Sequence, residues 1–479
     1  MASTTDSSSI LPAFRVVEQC RVSPCGDGPL AAGEELSLPL TFFDVPWLGR
    51  RPVELLFFYR WPGLTTPHFA ASALPCLRRS LALALHRYYP LAGRLRPPRP
   101  APSSDKFHIC CADGDSVSLA LAECIDGGRH FEQLAGDDAR CVHAFRPLVP
   151  EIPMAVDDGG MLALTALQVT VFPGAGVCVG VSIHHAACDG SGFMSFVRTW
   201  ASACGSGEEA AAVPPAGELP VIDRTLVSDP RELYTVFCGM KPMTSPGKVH
   251  TPTDHEPAFV RSTFLLRRAH VEELRRRASE QMPPPPPLLR YSTFVLTCAY
   301  VWVNLLKVRG EEQPPKPDEG VGNASYFDFV VDCRGRLSPP LPAAYFGNCL
   351  GLCFVDARRS DLLGKGGVGC AVEAIAESLA RMGKDGQVLQ GAEEWIPKLA
   401  VRQPGRVLSV AGSPSFRVYG VDFGWGRPAK VEVMGIERSG AVALVESREE
   451  DGGIEVGLAL TAPEMSRFTS LFAAGLEDK

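Results

Sequence analysis

LTALQVTVFPGAGVCVGVSIHHAACDGSGFMSFVRTW, residues 164–200, changes its hydrophobic period part-way along. Leu164–Phe172 is rich in β-formers, and Val177–Ile183 resumes the same pattern after Pro173-Gly174-Ala175-Gly176, so the two runs predict a hairpin closed by a turn. Beyond it, Phe193, Phe196, Val197 and Trp200 fall at i, i+3, i+4 and i+7, one face of a helix. The intervening His184-His185-Ala186-Ala187-Cys188-Asp189-Gly190 therefore sits where a strand ends and before a helix begins. Loops carried on rigid elements in this way commonly hold chemistry.

Working outward, helical and strand patterns alternate in both halves, which predicts an α/β chain (α+β, mixed sheets) with helices packed on the sheets. Leu77, Leu81, Ala84, Leu85 and Tyr88 have helical spacing. Thr293–Leu306 is apolar on nearly all sides; it is too short for a bilayer and reads as a buried central helix ending before Gly310. Four Pro/Gly-rich stretches cannot build a core: residues 96–104, 205–220, 283–287 and 311–320. The second lies near the middle. It divides the chain into an N-terminal domain, 1–204, a crossover linker, 205–245, and a C-terminal domain, 246–479; the others are surface loops.

The 479 residues are 46% hydrophobic and 21% charged, the range of a globular protein able to bury two sizeable cores. With 54 acidic against 47 basic residues, the basic excess of a nucleic-acid binder is missing, and an anionic substrate needs a local basic pocket. MASTTDSSSI has no basic region followed by an apolar one, so no signal peptide is expected. The sixteen cysteines are scattered without a CxxC, and reduced cytoplasmic thiols are the expected state.

A histidine suits proton transfer near neutral pH. Placed at His185, it could take the proton of a hydroxyl attacking a thioester and return it to the departing thiolate. Ala186 and Ala187 leave room for two substrates, Asp189 can hold the loop by pairing with an arginine, and Gly190 permits a backbone shape that other residues resist. A structural histidine is the plain alternative. Metal binding by His184, His185, Cys188 and Asp189 is a third, weakened because no second Cys/His cluster stands at ligand spacing.

His185-Ala186-Ala187-Cys188-Asp189 matches the HxxxD motif, and Asp422-Phe423-Gly424-Trp425-Gly426 matches DFGWG in full. In this order and far apart, the two make the chain resemble the plant BAHD acyltransferases. The resemblance runs from about residue 36 to the end. LSLPLTFFDVPWL (36–48) is similar to the family's N-terminal strand segment, Tyr89–Arg94 to its YPLAGR, and Val331–Arg336 to its D-x-R-x-R segment. Tyr345-Phe346-Gly347-Asn348-Cys349 is the YFGNC signature, most typical of the branch that acylates anthocyanins and other phenolic glycosides, commonly with malonyl-CoA.

The resemblance implies two domains of the chloramphenicol-acetyltransferase type, with a solvent channel at their interface and His185 midway along it. It implies acyl-CoA as co-substrate, malonyl-CoA favoured, and a phenolic glycoside as acceptor. The enzyme would be a cytoplasmic monomer with no permanently bound cofactor, metal, nucleic acid or membrane partner. Asp189 would pair with Arg334. Asp422, Gly424, Trp425 and Gly426 would be mainly structural, with the Trp425 N–H one conceivable oxyanion donor. Asn348, Ser292 and Thr293 would border the donor, although a loop-capping role explains Asn348 as simply and helix N-capping explains Ser292 and Thr293 more simply. Arg267, Arg268, Arg275, Arg276 and Arg277 could meet CoA phosphates or form a solvated face. None of the four residues after Asp189 is charged, so no receptor for a malonyl carboxylate is evident, and a hydroxycinnamoyl donor stays open. Two further alternatives are a peptide-condensation domain, which shares HHxxxDG, and a non-catalytic binder that keeps the fold.

Overall fold

The predicted hairpin forms in the computed structural model: Thr165–Phe172 pairs antiparallel with Gly176–Ile183, Val171 opposite Val177 and Thr165 opposite Ile183. The structure describes residues 11–25, 35–99, 105–153, 160–205, 219–240, 259–281, 291–310, 323–383, 387–402 and 407–477. The loops expected at 283–287 and 311–320, and much of the expected linker, lie outside the described residues. Every residue of Gly176–Ile183 is buried, because the strand has a neighbour on each edge and cover on each face. That explains its continuous apolar run, where a half-solvated strand would alternate.

The strand belongs to a six-stranded sheet in the order Phe14–Val22, Val117–Cys124, Thr165–Phe172, Gly176–Ile183, Val53–Arg60, Lys430–Val433. The helices Thr66–Arg87 and Gly190–Gly205 share its core, with Phe193, Phe196, Val197 and Trp200 all buried, as their spacing predicts. A second sheet has seven strands: Leu350–Arg358, Ala324–Asp332, Val407–Ala411, Val442–Glu446, Ile454–Thr461, Phe259–Leu266 and Arg140–Cys141. The helix Thr293–Gly310 is buried on nearly every side in the core of that sheet. A small four-stranded sheet contains Glu35–Pro39, His108–Ala112, Arg94–Arg96 and Leu162–Ala163. Among the described residues no helix is long and apolar enough to cross a membrane.

Gly190 corrects one expectation. Its backbone is not in the left-handed region; instead, a Cβ there would strike the Phe416 ring, so close approach explains the glycine.

Two short strands cross the division expected from the sequence. Lys430–Val433 completes the first sheet, pairing with Val53–Arg60, while Arg140–Cys141 edges the second, pairing with Phe259–Leu266. Around them lies a buried ionic cluster. Glu432 receives Arg140 at 2.6 Å and Arg261 at 2.8 Å, and Lys430 reaches Asp137 at 2.8 Å and Glu455 at 3.2 Å. Burial alone would raise the Glu432 pKa, but Arg261, Arg140 and Lys430 outweigh it and hold the carboxyl at about 2.

Removing one member of such a buried pair leaves an uncompensated charge, at about 3–5 kcal/mol. Glu432→Gln is therefore expected to lower unfolding stability by about that amount in chemical denaturation. A loss within experimental error would show that the cluster does not join the halves. In the native protein this stabilisation is fully present above the ordinary carboxyl value of 4.5 and is lost as pH falls towards about 2, because the unfolded state takes up the proton first.

Candidate active site

Hairpin and helix together fix the HHAACDG loop. The His184 N–H continues the strand by donating to the Leu164 carbonyl at 2.8 Å, and the Ala187 N–H closes a turn on the His184 carbonyl at 2.9 Å. The His184 side chain is only 2% exposed, and its Nδ1 accepts the Ala186 N–H at 3.2 Å. Burial, with His185 beside it, lowers its pKa to about 4, so it is a neutral structural residue at physiological pH.

His185 differs in every respect. It is half-buried, and its ring stacks on Trp47 with centroids 3.8 Å apart and planes 7° from parallel. Its Nδ1 lies 3.2 Å from Asn348 Oδ1. Desolvation lowers its pKa; a backbone hydrogen bond, the Asp189 charge and Asn348 act against that, and Arg50 adds to the lowering. The ring is thus a largely neutral imidazole near pH 7 that still touches solvent. The Cys188 thiol is pushed up by burial and is no candidate for a thiolate nucleophile.

Asp189 faces away from solvent and meets Arg334 as a two-pronged fork, Nη1 to Oδ2 at 2.8 Å and Nη2 to Oδ1 at 3.1 Å. The same carboxylate accepts the Gly192 N–H at the start of the following helix and the Cys349 N–H, each at 3.1 Å. Arg334 also donates to the Tyr345 and Gly347 carbonyls at 3.0 and 3.2 Å. The HHAACDG and YFGNC segments are thereby clamped together across the two halves.

A second buried pair lies behind His185. Arg224 reaches Asp44 at 3.3 Å, the Tyr345 hydroxyl at 3.2 Å and the Ala187 carbonyl at 3.1 Å. A Cβ at Gly347 would fall on the Arg224 guanidinium, which accounts for the glycine in YFGNC. Asn348 is fully buried; its Nδ2 donates to Asp44 Oδ1 at 2.9 Å and to the His185 carbonyl at 2.8 Å. Sequence reasoning quoted the segments holding Asp44 and Trp47 without giving either a role, and it passed over Arg224 and Arg50. The available signal was an acid inside the apolar run FFDVPW, which demands a buried cation.

Among the described residues no hydrogen bond, ion pair or ring contact joins the remaining expected residues to His185. Asp422 Oδ1 accepts the Gly424 and Gly426 N–H groups at 2.7 and 2.9 Å, and both glycines have positive φ, +91° and +87°. Phe423 packs on Trp200, and Trp425 on Tyr59, Trp61 and Phe69, so the DFGWG loop docks one half on the other. A cavity of about 480 Å³ adjoins it, lined in part by Arg198, Ser202 and Asp422. Ser292 is exposed, and its Oγ accepts the Val295 N–H at 3.3 Å, capping the helix that Thr293 begins. Arg275, Arg276 and Arg277 pair with Glu272, Glu273 and Glu280 of their own helix, the pattern of a solvated face, and Arg267 pairs with Glu449. All sixteen cysteines are free thiols. Among the described residues no group of three or more His, Cys, Asp or Glu could hold a metal ion.

The Transferase family profile matches residues 29–474. The malonyl-coenzyme A:anthocyanin 3-O-glucoside-6''-O-malonyltransferase of Dahlia pinnata is 34% identical, over 98% of each chain. Phenolic glucoside malonyltransferase 1 of Arabidopsis thaliana is also 34% identical, over 97% of this chain and 98% of its own. Coumaroyl-CoA:anthocyanidin 3-O-glucoside-6''-O-coumaroyltransferase 2 of Arabidopsis thaliana is 32% identical over 98% of each. Among solved structures, vinorine synthase aligns with a TM-score of 0.66 at 20% identity, over 96% of this chain and 98% of its own. TRI101 of F. sporotrichioides, complexed with coenzyme A and T-2, aligns at 0.64 and 16% identity over 91% and 97%. These two speak for the fold, the two-domain chloramphenicol-acetyltransferase type with mixed α/β sheets. The chain belongs to the Transferase family, the BAHD acyltransferases, which use acyl-CoA as co-substrate.

Proposed function

We propose that this enzyme transfers malonyl from malonyl-CoA to a sugar hydroxyl of an anthocyanin, flavonoid or other phenolic glycoside, with His185 as general base. The observation that carries the proposal is a half-open, neutral imidazole held by groups from both halves of the molecule. The malonyltransferase relatives support the donor and the acceptor class.

In this reading acceptor and donor meet at the ring in a ternary complex, in a channel between a domain of residues 1–204 and one of residues 246–479. Nε2 takes the proton as the sugar oxygen attacks the thioester carbonyl. The tetrahedral oxyanion collapses with cleavage of the C–S bond, and the imidazolium gives its proton to the thiolate, leaving ester and free CoA. The base starts neutral because the site is desolvated. Asp189 and Arg334 hold the loop, Asp422, Gly424, Trp425 and Gly426 dock the halves, and Ser292 and Thr293 border the donor. Free thiols and a CoA donor support a cytoplasmic setting, and we take the enzyme to act as a monomer.

Arg50 supports a carboxylated donor. It follows Trp47 by three residues, with its N–H on the Trp47 carbonyl at 3.1 Å, and lies near enough to His185 to disfavour ring protonation. Arg50 is exposed, and among the described residues no carboxylate pairs with it. The coumaroyltransferase relative supports a second reading, an aromatic acyl donor.

His185→Ala is expected to lose at least about a hundredfold in rate, read as free thiol released from malonyl-CoA in the presence of a phenolic glucoside. A variant of near-native rate would contradict the assignment. In the native enzyme the acid limb of kcat/KM is expected below the ordinary histidine value of 6.5, with activity lost as pH falls through the depressed pKa. Arg50→Gln is expected to raise KM for malonyl-CoA about tenfold, the scale of one charge-assisted contact, while leaving acetyl-CoA unchanged. Equal effects on both donors would remove Arg50 from donor recognition.

A further inference from the structure

We propose that Asp44 and Asn348 act as positioning residues that fix the His185 proton on Nδ1 and so present Nε2 as the basic atom. This rests on the reading of His185 as general base and adds how the base acquires the correct tautomer.

A carboxamide has one donor end and one acceptor end of nearly equal shape, so its partners decide its orientation. One end of Asn348 faces Asp44 Oδ1 and the His185 carbonyl, at 2.9 and 2.8 Å. A carbonyl oxygen only accepts. The Asp44 carboxylate is surrounded by donors: the Asn348 backbone N–H at 3.1 Å, the Thr41 N–H and hydroxyl both at 2.8 Å, and Arg224 at 3.3 Å. Two acceptors at one end require the NH2 group there, and its two hydrogens serve both. The other end is then the carbonyl oxygen, and it faces His185 Nδ1 at 3.2 Å. Since that oxygen can only accept, Nδ1 must carry the hydrogen. A neutral imidazole has a single N–H, so Nε2 keeps its lone pair.

The opposite tautomer would set two lone pairs against each other at Asn348, and its Nε2–H could not take a hydroxyl proton. Flipping the amide to suit it would turn a carbonyl towards a carboxylate and another carbonyl. Trp47 stacks on the ring and holds its plane, so the relay controls the proton while the indole controls the orientation.

The charged and titratable groups around the ring are His184, Cys188 and Asp189 on its own loop, Arg50 beyond Trp47, the Asp44–Arg224 pair behind Asn348, and Arg334 behind Asp189. All are retained in the two variants that follow. Asn348→Leu removes one acceptor that favours the imidazolium and leaves the ring's backbone hydrogen bond and the Asp189 charge in place. Its acid limb of kcat/KM is expected to move to lower pH, with kcat down tenfold or more and KM for both substrates within twofold. Asn348→Asp sets a second buried carboxyl against Asp44 Oδ1 and the His185 carbonyl, so it holds a proton at that end and keeps a carbonyl oxygen on Nδ1, and its limb is expected to stay near the native position. An Asn348→Leu limb that stays in place, or an Asn348→Asp limb that falls with it, would overturn the proposal.

The native enzyme provides a test that needs neither variant to fold. With 15N-histidine labelling and His185→Ala to identify the signals, two-bond 1H–15N correlation at neutral pH is expected to show His185 with a protonated Nδ1 and an unprotonated Nε2. The reverse pattern would overturn the proposal. A fully active His185→Ala enzyme would instead sink the general-base reading, and the spectrum would still report the tautomer.

Discussion

One carboxylate, that of Asp189, organises the site. It is 1% exposed and receives four donors: both prongs of Arg334, the Gly192 N–H and the Cys349 N–H. A buried charge is tolerated only when paired and hydrogen-bonded, so all four positions are constrained at once. Gly192 lies in the first turn of the helix after the loop, Cys349 lies one residue beyond Asn348, and Arg334 follows the strand Ala324–Asp332 of the other sheet. Satisfying Asp189 therefore brings Asn348 to His185 and closes the two halves around the ring. The carboxylate does its work at a distance from the chemistry, by deciding which groups can reach the imidazole.

The same logic operates twice more between the halves. Asp44 and Arg224 form a second buried pair, and Arg224 extends it to the Ala187 carbonyl of the His185 loop and to the Tyr345 hydroxyl. Farther off, Glu432 between Arg140 and Arg261 welds the exchanged strands. Double burial of this kind costs desolvation, and replacement by apolar residues is often neutral or stabilising. What the ionic pairs supply is register: each charge accepts one geometry, whereas an apolar contact tolerates sliding. The proton transfer proposed for His185 would need that precision, because a misplacement of about 1 Å can cost on the order of a hundredfold in rate.

Much of this was legible because the signals were local. The hairpin 165–183 shows as two β-rich runs about a Pro-Gly turn, and the helix after it as a 3.6-residue stripe ending at Trp200. The HxxxD and DFGWG motifs led to His185, to the Asp189–Arg334 pair and to a docking loop whose glycines have positive φ. The rest was non-local. Arg140–Cys141 and Lys430–Val433 are too short to carry a period, and their pairing depends on what lies beside them in space. Arg224 has no motif around it, and its role appears only when Asp44, 180 positions earlier, is found beside it. Gly190 was read as a backbone requirement, while its real constraint is the Phe416 ring from the distant C-terminal half. The Asn348 amide turned out to be fully engaged by Asp44 and His185, a commitment that spacing along the chain does not encode.

At the centre of the proposed mechanism is one neutral, half-open imidazole, read as the base between an attacking alcohol and a thioester. The most direct measurement is a crystal structure of the enzyme with CoA and a phenolic glucoside bound together. The account predicts the reacting sugar hydroxyl within about 2.6–3.2 Å of His185 Nε2, with the CoA sulfur arriving at the same ring. An acceptor hydroxyl seated beyond reach of that nitrogen, or a ring turned to offer Nδ1 instead, would contradict it.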